Sequence, residues 1–271
     1  MIAHDTEQYV EVDGLKTFYI KKGTGDPLVI VHGGSPGACT RVNWGPNLDF
    51  LAAAGFAVYA FDQPGFGRTD NPTDYSLEYR VRHAKAFVKA MGLDRFALMG
   101  NSQGSYIVAR MALENPHITR LVLVASGTLA PRGSAASEEL SREHAERLAS
   151  YEPSLENCRA LTMQTLLNPE RVTDDLVRER YEMSIGKNFE ANEKRRGIPA
   201  PRPVYEELKN LTMPVMILWG AQDSGAALER SLLLLRAMPG AELHIFDRSG
   251  HWVQWDQTDR FNTLVRDFLR A

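Results

Sequence analysis

The sequence predicts an α/β domain built on a mostly parallel sheet, with helices on both faces and a helical cap inserted near the middle of the chain. Short, continuous apolar blocks recur along the chain, as expected for strands covered on both faces. Stretches of helical length and periodicity separate these blocks. One long insertion without a buried strand interrupts this alternation. The 271 residues suffice for one large core together with a cap.

Each predicted element follows from a local pattern. Asp13-Gly14 suits a tight turn, and it separates two predicted strands at 9–12 and 15–20. The remaining strands are the apolar blocks, which lie at 28–31, 57–61, 96–99, 121–124, 215–219 and 243–246. Helices are predicted at 76–91, immediately after Ser102, and at 256–269. Because buried strands and helices alternate, the sheet is expected to be mainly parallel.

The insertion is expected to form a cap over residues 131–205, between core segments at 1–130 and 206–271. It contains amphipathic stretches at 137–151, 155–167 and 173–185, and a polar, proline-rich tail at 192–203. Long insertions in compact domains are usually functional, but a purely structural helical excursion is the alternative interpretation.

Composition excludes several classes of protein. Hydrophobic residues make up 44% and charged residues 24%, which is ordinary for a globular protein. The net charge of −3 gives no excess of positive charge of the kind that binds a nucleic-acid partner. Two cysteines, Cys39 and Cys158, make neither a disulfide framework nor a thiolate metal site. The first ten residues lack signal-peptide features, and the apolar run at 51–61 is too short to span a bilayer, so a cytoplasmic protein without a membrane partner is expected.

The strongest chemical signal is Gly100-x-Ser102-x-Gly104, placed between a predicted strand and a predicted helix. This is the nucleophile-elbow pattern, in which a sharp turn presents the serine hydroxyl and needs small neighbours two positions away on either side. The helix behind Ser102 directs backbone N–H groups toward the site. The alternative is that Ser102 is only a helix N-cap.

A nucleophilic serine needs a base and a carboxylate that orients the base. His251 follows the last predicted strand, at the carboxyl edge of the sheet, where the sites of parallel sheets form. His32 also ends a predicted strand, but the glycines that follow it favour a role in supporting its own loop. Asp223 lies just beyond the strand at 215–219, and the order serine, aspartate, histidine is typical of this arrangement. Asp247 and Asp256 are nearer to His251 in sequence and remain the alternatives.

A loop suited to binding an oxyanion follows the first buried strand. In His32-Gly33-Gly34-Ser35-Pro36-Gly37 the glycines allow backbone N–H groups to approach a ligand closely. We expect the amide of Gly34 to act together with that of Gln103, the residue after the predicted nucleophile. The alternative is a merely flexible loop.

Three segments, at 61–70, 100–104 and 250–255, resemble the α/β-hydrolases of the meta-cleavage product hydrolase family. The resemblance covers the core from about 25 to 130 and from 211 to 271, and is weaker through the cap. It implies the α/β-hydrolase fold with an eight-stranded sheet. It also implies a serine-dependent hydrolase that acts on carbon–carbon bonds of 2-hydroxy-6-oxohexa-2,4-dienoates from aromatic degradation, giving 2-hydroxypenta-2,4-dienoate and a carboxylic acid.

The same resemblance assigns roles to residues of this chain. Ser102, Asp223 and His251 become the catalytic triad, and Gly34 and Gln103 the backbone donors of the oxyanion hole. The residues expected to bind substrate are Gly33, Asn43, Asn101, Arg180 and Trp252. It further implies a small-molecule substrate, no cofactor and no metal, and a homodimer or larger homo-oligomer.

The assignment of Arg180 depends on the segment 172–181. This segment resembles the part of the cap that, in the family, carries an arginine bound to the dienoate carboxylate. A planar guanidinium suits a carboxylate beside an oxo or enol oxygen. Arg178 is adjacent, and cap helices carry many solvated arginines, so solvation is the alternative.

Two departures from the family leave the acyl substituent open. Ser35 stands where the family commonly has a third glycine, and Gln103 where it often has methionine. A carboxylesterase with the same triad, or a nearly inactive ligand receptor on the same fold, are the rival functions. The sequence does not identify the group on C6 of the substrate.

Overall fold

The structure is a computed structural model that describes residues 6–271, and within that range eight strands form one sheet. The strands are β1 (Thr6–Val12), β2 (Leu15–Lys22), β3 (Asp26–Val31), β4 (Phe56–Phe61), β5 (Phe96–Asn101), β6 (Ile118–Val124), β7 (Val215–Gly220) and β8 (Glu242–Phe246). Their order across the sheet is β1-β2-β4-β3-β5-β6-β7-β8. β2 runs antiparallel to both of its neighbours, and all other pairs are parallel. The predicted fold class is confirmed.

The helices are α1 (Thr40–Ala53), α2 (Leu77–Ala90), α3 (Gln103–Glu114), α4 (Ala135–Ala149), α5 (Leu155–Thr165), α6 (Asp174–Glu182), α7 (Lys187–Arg195), α8 (Glu229–Ala237), α9 (Val253–Asp256) and α10 (Thr258–Arg270). Short 3-10 turns occur at Pro169–Arg171 and Tyr205–Asn210.

Both faces of the sheet are covered, which explains the continuous apolar blocks in the sequence. On one face, α2, α3 and α8 pack over a cluster that includes Val29 and Val31. On the other face, α1 and α10 pack over a cluster that includes Leu28 and Ile30. Since successive side chains of a strand point to opposite faces, a strand buried on both sides must be apolar at every position.

Some elements differ from prediction. The helix expected at 256–269 is present as α10, and the short helix α9 that precedes it was not predicted. α1, α7 and α8 were not predicted, and α7 occupies part of the segment expected to be a polar tail. Gly45 and Pro46 interrupt the α1 pattern, and α1 also buries polar residues such as Asn43 and Asn47, so no apolar stripe marks it as a helix.

Helices α4 to α7 lie between β6 and β7 and form the region predicted as the cap. Part of it has its own apolar cluster, in which Leu161 and Val177 pack with Val42 and Trp252 of the core. The division of the chain at 130/131 and 205/206 stays a prediction. Over residues 6–271, none of the helices is both long and apolar enough to cross a membrane.

Candidate active site

Ser102 stands at the turn between β5 and α3 in a strained backbone conformation. Its φ is +55° and its ψ is −122°, a region that costs a residue other than glycine about 1–3 kcal/mol. The Ser102 amide donates a hydrogen bond of 2.8 Å to the carbonyl of Val124 on the neighbouring strand. Although Ser102 precedes α3, its hydroxyl makes no capping hydrogen bond. The hydroxyl instead borders a cavity, so the geometry does not support a helix cap.

The two glycines of the motif permit this turn for steric reasons. A Cβ at Gly100 would lie 2.5 Å from the carbonyl group of Gly104. A Cβ at Gly104 would lie 2.4 Å from the carbonyl oxygen of Val31 and 2.5 Å from that of His32. These neighbours are backbone atoms and cannot rotate away, so glycine is needed at both positions.

His251 and Asp223 form a buried pair at the carboxyl ends of β8 and β7. Nδ1 of His251 lies 2.9 Å from Oδ2 and 3.0 Å from Oδ1 of Asp223. Because a carboxylate only accepts hydrogen bonds, Nδ1 carries the proton and Nε2 is left as the basic nitrogen. Oδ1 of Asp223 also accepts hydrogen bonds from the amides of Gly225, at 2.7 Å, and Ala226, at 2.9 Å. These amides fix the orientation of the carboxylate.

The electrostatics of this pair favour a charged imidazole. Burial lowers the pKa of His251, but the charge of Asp223 and its hydrogen bond raise that pKa by more, so the net pKa lies above the ordinary value. Within residues 6–271, no hydrogen bond joins the Ser102 hydroxyl to this ring, yet both residues border the same cavity. Catalytic hydrogen bonds are often long before substrate binds, so this geometry is compatible with a nucleophile–base pair.

The alternative carboxylates have other contacts. Asp247 is exposed, and its Oδ1 accepts a hydrogen bond from Nε2 of Gln222. The carboxylate of Asp256 accepts hydrogen bonds from the backbone amides of Gly250, Leu167 and Asn168. Asp256 therefore ties the cap to the loop that carries His251.

The amides predicted to bind an oxyanion are available. In the described part of the chain, the backbone N–H groups of Gly34 and Gln103 have no hydrogen-bond partner. Both residues border the same cavity as Ser102. Gln103 is the first residue of α3, where a backbone N–H has no partner within the helix and the helix dipole is positive. Two unpaired donors beside a strained serine are what a tetrahedral oxyanion requires.

A buried hydrogen-bond network lies behind the loops that carry the backbone amides of Gly34 and Gln103. Nη2 of Arg80 donates to Oε1 of Gln103 at 3.0 Å, and Nη1 donates to Oε1 of Gln63 at 3.2 Å. The backbone amide of Gln63 donates to Nε2 of His32 at 3.0 Å. Nδ1 of His32 is 2.7 Å from the carbonyl oxygen of Gly33. Burial lowers the pKa of His32 to about 3, so this ring is neutral and supports its loop, as predicted.

Asn43 and Asn101 link three loops of the site. The Gly33 amide donates to Oδ1 of Asn43 at 3.3 Å, and Nδ2 of Asn43 donates to Oδ1 of Asn101 at 3.1 Å. Nδ2 of Asn101 in turn reaches the carbonyl oxygen of His251 at 3.4 Å. Both asparagines are buried, and Asn101 borders the cavity whereas Asn43 is not among its lining residues. The contacts of Asn43 make it a positioning residue for the loops.

The cavity lies between the core and the cap and has a volume of about 930 Å³. Its core side is formed by the loop after β3, the start of α3 and the residues around His251. Its cap side is formed by one face of α4, by α5 and by the segment that leads into β7. This size is typical of sites for small organic ligands.

Arg180 is fully buried beside this cavity but is not among its lining residues. Nε donates to the carbonyl oxygen of Pro36 at 3.1 Å, Nη1 to Oγ1 of Thr162 at 3.0 Å, and Nη2 to Oγ of Ser35 at 3.0 Å. The guanidinium also lies 5.1 Å from the ring centre of Trp252. Burial lowers its pKa to about 10, which still leaves it charged. Ser35 and Trp252 themselves border the cavity, and no acidic side chain of the described residues pairs with Arg180.

Sequence reasoning missed three polar residues near the site. The position of Arg80 could have been noticed, because it lies three residues after Leu77 and four before Ala84 on the mainly apolar, buried face of α2. His144 of α4 has its ring centre 6.2 Å from that of His251 and also borders the cavity. Arg230 of α8 borders it from the other side. No spacing in the sequence relates His144 or Arg230 to the motifs.

Comparison with known proteins identifies the family. The model of the α/β-hydrolase fold family matches residues 26–258. A 2-hydroxy-6-oxononadienedioate/2-hydroxy-6-oxononatrienedioate hydrolase of Burkholderia vietnamiensis is 32% identical, over 98% of this chain and 96% of that protein. A 2-hydroxy-6-oxo-6-phenylhexa-2,4-dienoate hydrolase of Burkholderia cepacia is 31% identical, over 97% of this chain and 96% of that protein.

Solved structures agree with the sequence comparison. A meta-cleavage product hydrolase from Pseudomonas fluorescens IP01, complexed with acetates, superposes with a TM-score of 0.87 at 31% identity, over 97% of each chain. The chain therefore belongs to the α/β-hydrolase fold family and, within it, to the meta-cleavage product hydrolases, enzymes that hydrolyse carbon–carbon bonds.

Proposed function

We propose that this chain hydrolyses the C5–C6 bond of a 2-hydroxy-6-oxohexa-2,4-dienoate, with Ser102 as nucleophile, His251 as base and Asp223 as the carboxylate that orients the base. The observation that carries the proposal is the convergence on one cavity of a strained serine, an Asp223-bound imidazole and two unpaired backbone amides. The names of the Burkholderia relatives support the substrate class.

The proposed reaction begins with a tautomerisation in which the 2-hydroxyl group loses its proton and C5 gains one. This converts the dienol to its keto form and makes C5 a viable leaving carbon. Nε2 of His251 accepts the proton of the Ser102 hydroxyl while Oγ attacks the carbonyl carbon C6. The amides of Gly34 and Gln103 donate to the resulting oxyanion. The C5–C6 bond then breaks, its electron pair leaves with the dienolate, and the proton held by His251 passes to this leaving group to give 2-hydroxypenta-2,4-dienoate and a neutral imidazole. Water activated by His251 hydrolyses the acyl ester and releases a carboxylic acid.

The carboxylate of the dienoate is proposed to bind at the end of the cavity where Ser35 and Trp252 cover Arg180. A fully buried cation without an acidic partner creates a positive potential that favours an anion. The substrate approaches this charge through the lining residues Ser35 and Trp252, so modest movement of these side chains accompanies binding. Gly33 and Asn101 border the cavity between that end and Ser102, where we propose that they contact the dienoate.

The test measures the loss of the dienoate's near-visible absorbance with wild-type protein and with Ser102→Ala. We expect turnover by the wild type, and unaltered dienoate binding without turnover by S102A. The proposed nucleophile is refuted when S102A turns over the dienoate at a rate near that of the wild type.

The same assay separates the rival functions. Faster hydrolysis of p-nitrophenyl esters than of dienoates with the same acyl group indicates a carboxylesterase. Dienoate binding with neither turnover nor an acyl-enzyme burst in pre-steady-state kinetics indicates a ligand receptor. By the family resemblance, Asn101, Arg180 and Trp252 favour the carbon–carbon hydrolase.

We further propose that the protein works in the cytoplasm as a homodimer or larger homo-oligomer, without metal or cofactor. Light scattering gives the oligomeric state directly, and activity retained after chelation supports the absence of a metal. The predicted cap, residues 131–205, is proposed to move as one unit when substrate enters.

A further inference from the structure

The last helix of the predicted cap, α7, is attached to the loop that follows β4, and residues 62–70 are called the β4 loop below. Three side chains of α7 donate hydrogen bonds to carbonyl oxygens of this loop. The pairs are Nζ of Lys187 with Thr69 at 2.7 Å, Nδ2 of Asn188 with Gly67 at 2.9 Å, and Nη1 of Arg195 with Gly65 at 2.8 Å. The acceptors are alternate residues, so α7 holds the β4 loop at three points along its length.

Arg195 also contacts the aromatic ring of Phe66 in the β4 loop. Its guanidinium carbon lies 3.8 Å from the centre of this ring, within the range of a cation–π contact. Gly65 permits the approach, because a Cβ at that position would lie only 3.2 Å from Nη1 of Arg195. Phe66 is buried, so its neighbours fix the position of its ring.

Phe66 in turn contacts His32, the first residue of the glycine loop predicted to bind the oxyanion. The two ring centres are 5.4 Å apart, in an edge-to-face arrangement. Both ring nitrogens of His32 have partners, because Nδ1 lies 2.7 Å from the carbonyl oxygen of Gly33 and Nε2 accepts from the backbone amide of Gln63 at 3.0 Å. A series of direct contacts therefore connects the cap, through Phe66 and His32, to the residue that precedes Gly34.

The cation at this position is held against electrostatic repulsion. Arg80 of the core lies 5.4 Å from the centre of the same Phe66 ring. Burial and the charge of Arg80 lower the pKa of Arg195 to about 9, which leaves Arg195 charged at neutral pH. Because an apolar side chain in place of Arg195 would also remove this repulsion, we expect the fold to tolerate such a substitution.

We propose that Arg195 is a positioning residue for the oxyanion hole, and that it acts by holding Phe66 against His32. These contacts fix the loop that carries the amide of Gly34. The inference rests on the proposed function, in which that amide donates to the oxyanion. Arg195 acts through its neighbours, since it is not among the residues that line the cavity. Because Arg195 belongs to the predicted cap, the hole reaches its final geometry only when the cap is packed on the core.

The test compares binding of an oxyanion mimic with binding of a ground-state ligand. Phenylboronic acid is the mimic: Oγ of Ser102 adds to boron, the hydroxyl proton passes to Nε2 of His251, and the tetrahedral anion places one oxygen in the oxyanion hole. Its affinity is measured as Ki. The ground-state ligand is 2-hydroxy-6-oxo-6-phenylhexa-2,4-dienoate, and its Kd is measured by absorbance with proteins that carry S102A, so that no turnover occurs.

Arg195→Met should raise the Ki of phenylboronic acid about 10- to 100-fold, the size of effect expected when catalytic groups shift by about 1 Å. The Kd of the dienoate for S102A/R195M should stay within about threefold of that for S102A, because the lost interaction forms only with the oxyanion. R195K keeps a cation that can donate to Gly65 and should restore part of the affinity for phenylboronic acid. F66L removes the ring but keeps Arg195, and it should cause the same selective loss, so the test does not depend on the folding of R195M.

Arg196→Met is the matched control. Arg196 follows Arg195 directly, and its hydrogen-bond partners among residues 6–271, the Glu193 carboxylate and the carbonyl oxygen of Tyr151, both lie within the predicted cap. R196M therefore removes an arginine from the same end of α7 without touching the β4 loop, and we expect it to change neither the Ki nor the Kd.

The outcomes separate this inference from the proposed function. If R195M and F66L weaken both ligands by the same factor, or neither ligand, the positioning role is refuted, and the carbon–carbon hydrolase stands as long as the wild type turns over the dienoate. If the wild type binds phenylboronic acid but does not turn over the dienoate, the proposed function fails, and the Ki values still decide the role of Arg195. If phenylboronic acid does not bind the wild type, there is no oxyanion hole to position and the inference fails.

Discussion

Replacing Asp223 by Asn tests how the catalytic pair works, because the structure dictates how the new amide must sit. Oδ1 of Asp223 accepts hydrogen bonds from the amides of Gly225 and Ala226. The opposite orientation of the Asn side chain would point its NH₂ group at those two donors and cost about 1–3 kcal/mol for each unpaired group. The amide oxygen therefore stays at the Oδ1 position, 3.0 Å from Nδ1 of His251, and the NH₂ group takes the Oδ2 position, 2.9 Å from the same nitrogen, where it competes with the oxygen for Nδ1.

The expected loss of activity follows from this orientation. An NH₂ group that faces Nδ1 favours the imidazole tautomer with the proton on Nε2, and this tautomer cannot accept the proton of Ser102. We expect kcat to fall about 10⁴-fold, the size of the effect when a triad histidine is held in the wrong tautomer. At 1.36 kcal/mol per decade this equals about 5 kcal/mol of transition-state stabilisation.

The pH dependence provides an independent check. In the wild type the charge of Asp223 raises the pKa of His251, so the acid limb of the kcat/KM profile lies above the ordinary histidine value of 6.5. In D223N burial remains but the negative charge is gone, so the pKa of His251 falls and the acid limb moves to lower pH. The activity is measured by loss of dienoate absorbance from about pH 5 to pH 9, a range that brackets histidine titration.

Asp247→Asn is the matched control, since it makes the same chemical change at an exposed carboxylate whose partners among residues 6–271 are Gln222 and Arg248. We expect D247N to keep wild-type kcat within about twofold, as surface substitutions usually do. The reasoning is refuted if D223N retains more than a tenth of wild-type kcat, or if its acid limb does not move.

Three further predictions concern strain, packing and support. S102G should be more stable than S102A by about 0.5–2 kcal/mol. Glycine relieves the backbone strain at φ +55°, and this gain exceeds the extra conformational entropy that glycine loses on folding. A lower melting temperature for S102G than for S102A in calorimetry would contradict this. G104A should lower the free energy of unfolding by about 1–3 kcal/mol, because its Cβ meets two backbone carbonyl oxygens. G45A is the control and should not lower it, since the nearest atom to its Cβ, on Trp255, is 3.6 Å away. Equal free energies of unfolding for both variants in chemical denaturation would contradict the steric argument. R80M removes the hydrogen bonds that hold the side chains of Gln63 and Gln103. We expect kcat to fall about 100-fold with KM little changed, because the proposed oxyanion donors lose their fixed positions. An unchanged kcat in steady-state assays would show that these donors do not need the support of Arg80.

The fold, and the candidates Ser102, Asp223 and His251 that the structure brings to one cavity edge, were accessible from the sequence because most of their signals are local. Strands buried on both faces must be apolar at every position, and the turn around Ser102 needs glycine at two nearby positions for steric reasons. The convergence of Asp223 and His251 follows from topology, since both lie just beyond the carboxyl ends of neighbouring parallel strands. The helix α1 escaped prediction because Gly45 and Pro46 interrupt its pattern and it buries polar side chains.

Contacts between distant segments were decided only by the tertiary structure. The sequence by itself determined which residues are chemically able to act as nucleophile, base and orienting carboxylate, and at which edge of the sheet they stand. It did not determine that Arg80 donates hydrogen bonds to Gln103 and Gln63, that Arg180 is buried beneath Ser35 and Trp252, or that Arg230 borders the cavity. These roles depend on how helices from separate parts of the chain pack together, and the charge and burial of each guanidinium are set by neighbours that no sequence spacing relates to it.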